Sequence, residues 1–177
     1  VINGKIKENI VLKYGTPKIC KKIQSNVFSL LTGGAGKNNY WHWLFDVLPR
    51  IAIYEKSKFK KKNDLFLFPS LSKSYQRESI FNLNISEEKL LDGEKNKHFI
   101  SENLLATDHP TVIKNNPSRS VENIPHWIIK WLTKKYSKKL KHSKNFPKKI
   151  FISRENDSNL NLRRIINSQE VESYLKN

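Results

Sequence analysis

Methionine is missing from the whole chain and Val stands first, so the expected reading is a fragment, or a chain whose start has been removed. Cysteine is nearly missing as well. Cys20 is alone, which excludes an internal disulfide and leaves no mark of an oxidising compartment. No run approaches the roughly 18 apolar residues of a membrane span, and no charged-then-apolar leader opens the sequence. The expectation is a soluble stretch, with an upstream anchor left open. Arginine is scarce too: of 33 basic residues only six are Arg, at 50, 77, 119, 154, 163 and 164, against 16 acidic residues. The resulting charge of +17 invites a nucleic-acid hypothesis, yet phosphate and base recognition favour the forked guanidinium over lysine. The lysines also accompany abundant Asn and Ile, all encoded by A/T-rich codons. Most Lys runs therefore read as solvated surface, with attraction to anionic lipid or polymer as the use left over.

What is present is enough for a core. A chain of 177 residues with 37% hydrophobic and 11% aromatic content fits one folded domain, or one domain plus a piece of another. Residues 26–31 (NVFSLL) read as a short buried strand, followed by a turn at Gly33-Gly34-Ala35-Gly36. From Tyr40 to Ser57 the pattern is helical, with Trp41, Leu44, Phe45, Leu48 and Ala52 on an apolar face. Asn38 or Asn39 is placed to cap that helix, and Pro49 should kink it. A strand is expected over 64–69, a short helix over 71–81, one or two strands over 98–107 and a proline-bearing loop over 108–119. A second helix over 122–141 shows Ile124, Trp127, Ile128, Trp131 and Leu132 on one side, the two tryptophans reading as core. Residues 141–149 look like a linker, 149–154 a strand, 155–162 a polar loop and 168–175 a helix that Ser168 could cap. Strands alternating with helices give an α/β fold class.

The stretch TGGAGKNNYWHWLFDVLPR, residues 32–50, has the look of a phosphate loop, but the spacing excludes it. A Walker loop needs a Gly separated by four residues from its Gly-Lys-Ser/Thr, and here Leu31 and Asn38 occupy the first glycine and hydroxyl positions. The chemistry lies further on. On a helix, His42, Asp46 and Arg50 form a stripe at i, i+4 and i+8, so that the carboxylate can orient the imidazole and the imidazole can accept a proton from a hydroxyl. On spacing alone, a surface helix with a pair worth a few tenths of a kcal/mol is the commoner case. A second cluster, Arg154 after a strand and Arg163-Arg164 before a helix, puts guanidinium groups where open α/β sheets bind ligands and where a diphosphate would fit. A basic linker is the equally simple alternative.

The run N-Y-W-H-W-L-F-D-V-L-P-R at 39–50, followed by I-F-I-S-R at 150–154 and R-R-I-I-N at 163–167, resembles glycosyltransferase family 61, which includes plant, other eukaryotic and many bacterial surface-polysaccharide enzymes. The resemblance implies a GT-B arrangement of two Rossmann-like domains: here an acceptor-side domain over 1–146 and the start of a nucleotide-sugar-binding domain over 147–177. It implies inverting transfer of a sugar from a nucleotide-sugar donor to a glycan or lipid-linked glycan acceptor, with no metal and no other cofactor. Carried over residue by residue, His42 is a candidate base or acceptor-positioning group with Asp46 as its partner, Asn39, Tyr40 and Arg50 lie on the acceptor side, and Arg154, Arg163, Arg164 and Asn167 face the donor phosphates. The covered sequence has no Asp-X-Asp triplet. Two departures stand out. Ser168 follows the motif's Asn where an acidic residue is usual, and the chain stops at Asn177 before a later Gly-His-Gly-Ala-Gly-Leu-type segment. The expectation is thus a piece of a cytoplasmic enzyme working at the inner face of a membrane, inactive by itself. A polyanion binder or a scaffold in an assembly complex is the competing reading.

Overall fold

A computed structural model describes residues 20–32, 35–62, 64–111, 123–137, 151 and 167–176. The chain divides into two compact units, Val1–Lys139 and Leu140–Asn177.

In the first unit four parallel strands form one sheet: β1 (Lys21–Ser29), β2 (Leu65–Phe68), β3 (Leu90–Asp92) and β4 (Phe99–Ala106), in the order β3-β2-β1-β4. The register sets Phe28 of β1 beside Phe66 of β2 and Leu105 of β4, and Phe66 beside Leu90 of β3. Parallel strands are usually covered by crossover helices, which is why β2 reads LFLF without polar alternation. The chain builds outward from β1 through β2 to β3, then returns to pair β4 with the other side of β1. This is a Rossmann-like α/β arrangement, and its strand order reverses between β1 and β4, the crevice where such sheets take ligands.

The helix expected over 40–57 is a composite. It runs as α1 (Tyr40–His42), a π-turn over Trp43–Val47, and α2 (Leu48–Glu55). Pro49 explains the form. It has no N–H to give to the carbonyl of Phe45, and its ring would clash there. The chain takes one wider turn instead, with the Leu48 N–H reaching the Trp43 carbonyl, so that Pro49 falls in the first turn of α2, where no donor is needed. The wider turn also rotates the apolar face. Trp43 and Val47, absent from the expected stripe, are fully buried, whereas Trp41, Leu44 and Phe45 are only half-buried. Gly36 is required beside this turn, since a Cβ there would meet Thr32 Oγ1 at 2.6 Å and Val47 Cγ2 at 2.7 Å.

Phe28, Leu30, Trp43, Val47, Leu48, Ile51, Tyr54, Phe68 and Ile80 make the core between the sheet and its helices, each large side chain contributing about 1.5–3 kcal/mol by leaving water. Trp43 Nε1 donates to Ser79 Oγ at 2.9 Å on α3 (Ser74–Phe81), and Phe28 stacks on Tyr54 at 4.3 Å between ring centroids. The second long helix, α4, begins at His126, later than expected, and runs to Tyr136. Ile128 is buried and Trp131 packs against the core, but Trp127 is 39% exposed and is not a core residue. A helical position one residue away from the buried centre points to the boundary, whatever its size. Strand β1 starts earlier than its apolar run, and β3 has no counterpart in the sequence reading.

In the second unit, α5 (Ser168–Lys176) forms as expected, but the residue before it is the cap: the carbonyl of Asn167 accepts from the Val171 N–H at 3.1 Å. The strand expected over 149–154 lies outside the described residues apart from Phe151. Among the described residues no helix is long and apolar enough to cross a membrane.

Candidate active site

The site gathers at the carboxyl edge of the sheet. Asn39 opens the composite helix: its Oδ1 accepts from the backbone N–H of Trp41 at 3.0 Å and of His42 at 3.3 Å, which fixes where the first turn begins. His42 ends that turn and Asp46 sits one turn on, within the π-turn. His42 Nδ1 lies 2.5 Å from Asp46 Oδ2. A carboxylate can only accept here, so Nδ1 carries the ring proton and Nε2 presents its lone pair. The imidazole side chain is 29% exposed while the carboxylate beneath it is 7% exposed, which leaves the ring open to a reactant and shields its partner. Trp41 stands edge-on to the ring at 5.0 Å.

Arg50 is buried. Its Nε donates to the Asp46 backbone carbonyl at 3.0 Å and its Nη1 to the Thr107 carbonyl at 3.1 Å, just past the end of β4. Burial draws its guanidinium below the ordinary value, while the charges of Asp46 and Asp108 pull the other way. The loop after β4 brings a residue that sequence reasoning left unassigned. His109 Nε2 lies 3.4 Å from Asp46 Oδ1, at ion-pair range but without hydrogen-bond alignment. Burial pushes the Asp46 carboxyl up, yet the close contacts and charges of His109 and His42 outweigh it and hold the group below the usual carboxylate range. The only sequence signal for His109 was its place directly after an expected strand.

Tyr40 is 56% exposed and packs edge-on against Tyr75 at 4.9 Å. The structure thus brings Asn39, His42, Asp46 and Arg50 together, but gives Asn39 and Arg50 work in holding the helix, while the Tyr40 ring packs on Tyr75. Arg154, Arg163 and Arg164 lie outside the described residues. Asn167 is described, exposed at the start of α5, with Nδ2 donating to Glu170 Oε2 at 3.4 Å. Among the described residues, no group of three or more His, Cys, Asp or Glu is arranged to hold a metal ion.

Chemically, a half-open imidazole backed by a buried carboxylate can take a proton from a hydroxyl and keep the resulting charge balanced. No curated protein and no solved structure matches the chain. The sequence pattern of glycosyltransferase 61 matches residues 40–177, a span that starts at the residue beside the helix cap and includes His42, Asp46 and His109. With a match over more than half of its length, this chain belongs to glycosyltransferase family 61.

Proposed function

We propose that the chain serves an inverting, metal-independent glycosyltransferase that moves a sugar from a nucleotide-sugar donor to a glycan or lipid-linked glycan in surface-polysaccharide synthesis. The observation that carries this reading is the His42–Asp46 pair at 2.5 Å, solvent-reachable on the ring side and buried on the carboxylate side. In the proposed step His42 Nε2 takes the proton of the acceptor hydroxyl as that oxygen bonds to the anomeric carbon. The bond from that carbon to the diphosphate breaks, and its electron pair leaves with the diphosphate. Asp46 balances the imidazolium that forms. Tyr40 offers an exposed ring beside the acceptor, while Asn39 and Arg50 act by fixing the helix.

The donor side is assigned to the second unit, with Arg154, Arg163, Arg164 and Asn167 supplying positive charge and donors to the diphosphate in place of a cation. Together the two sides would make a GT-B enzyme, divided here into 1–146 and 147–177. The +17 charge supports work at the anionic inner face of a membrane. The test is transfer from a panel of nucleotide sugars by the full-length protein and by His42→Ala and Asp46→Asn. Each substitution should lower kcat by about 10²–10⁴-fold, the usual weight of a positioned base. Unimpaired turnover in His42→Ala would remove the base from this mechanism.

A further inference from the structure

The carboxylate of Asp46 has two oxygens, and only one of them serves His42. Its backbone carbonyl is bonded by Arg50, but that bond leaves the side chain free to turn about its last torsion. What faces the second oxygen is His109, arriving on the loop behind β4 with Nε2 3.4 Å from Oδ1. The far side of the His109 ring is held by Thr111. Its Nδ1 lies 3.2 Å from the Thr111 backbone N–H, 3.2 Å from the Thr111 carbonyl and 2.9 Å from Thr111 Oγ1. The N–H makes Nδ1 an acceptor and the carbonyl makes it a donor, so these contacts place the ring without setting its tautomer, and they leave Nε2 as the nitrogen nearest Asp46.

We propose that His109 is a positioning residue: its Nε2–H holds Asp46 Oδ1 so that Oδ2 faces His42, which keeps the His42 proton on Nδ1 and the reactive lone pair on Nε2. The chain of contacts runs Thr111 to His109 to Asp46 to His42, and it links the end of the outermost strand to the first helix. The 3.4 Å spacing is that of a resting site, in which catalytic hydrogen bonds are commonly long and tighten when the reactant binds. This inference rests on the reading of His42 as base. It adds a specific demand, since an unconstrained imidazole prefers its proton on Nε2, where it would block the lone pair that the reaction uses.

Nitrogen-15 NMR with long-range correlation to the ring protons reads the tautomer of each histidine directly, in the full chain, at alkaline pH where ordinary imidazoles are neutral. In the native protein His42 should show the Nδ1–H form and His109 the Nε2–H form. His109→Ala should convert His42 largely to the Nε2–H form. His109→Gln, whose terminal amide can still donate to Asp46, should keep His42 in the Nδ1–H form. An unchanged His42 spectrum in His109→Ala overturns the role of His109 and leaves the base reading standing. A native His42 already protonated on Nε2 overturns both. If His109→Ala loses its dispersed amide spectrum, His109→Leu decides. It keeps bulk in the loop but offers no donor to Asp46 Oδ1, so it should convert His42 to the Nε2–H form, and an unchanged His42 spectrum overturns the proposal.

Discussion

Arg50 and Thr107 meet at 3.1 Å, a guanidinium on the backbone carbonyl just past the end of β4, and this bond fastens α2 to the segment that leads to His109. Because the same side chain bonds the Asp46 carbonyl, Arg50→Ala leaves two carbonyls without their charged donor. Hydrogen bonds to charged groups are worth about 1.5–3 kcal/mol each, so a loss of about 2–5 kcal/mol in urea unfolding is expected. A change of under about 0.5 kcal/mol, the scale of an ordinary surface substitution, would contradict the buried anchor. Arg50→Lys should recover little, since an ammonium cannot offer the same fork.

A second carboxylate controls acid stability. Asp64 is buried and accepts from the Tyr54 hydroxyl, from Asn26 Nδ2 at 2.9 Å and from the Lys61 N–H at 2.9 Å. Burial pushes its carboxyl up, but those bonds more than reverse the effect and hold it below its ordinary value. A depressed folded-state value means that the unfolded chain binds the proton more readily, so the contribution is complete above the unfolded value of about 3.9 and is lost as pH falls below it. Thermal unfolding across acidic pH should show a steeper loss in the native protein than in Asp64→Asn. Parallel curves below about pH 4 would remove Asp64 from this role.

The helix α4 separates size from burial. Ile128→Ala should cost about 2–4 kcal/mol, because the removed group leaves a cavity in the packed interface. Trp127→Ser, one residue earlier and 39% exposed, should cost under about 1 kcal/mol. Denaturant midpoints for the pair check this, and equal losses would place Trp127 in the core after all.

The legible parts of the fold were those where local pattern and final packing agree. The LFLF run of β2 announces a strand covered on both sides, the Ser74–Phe81 helix falls within the stretch 71–81 expected to be helical, and the Ser168–Lys176 helix matches the one expected over 168–175. The three residues of β3 carry too little pattern to be seen, and they form a strand only by pairing with β2. Trp43 was hidden by the assumption of a uniform period, which one π-turn before Pro49 breaks. At the site, His42 and Asp46 were readable because a helix turn relates them. No spacing relates His109 to either one; the sheet alone brings it there.

The return of the chain from β3 to the far side of β1 has a consequence for how the site comes into being. The first helix can form early from nearby contacts, but the loop carrying His109 takes its place only after β4 docks along β1, a pairing between distant segments that forms slowly. Assembly of the imidazole–carboxylate–imidazole bridge therefore coincides with closure of the sheet. Any fluctuation that peels the outer strand away would disarm the bridge while much of the remaining core stays packed.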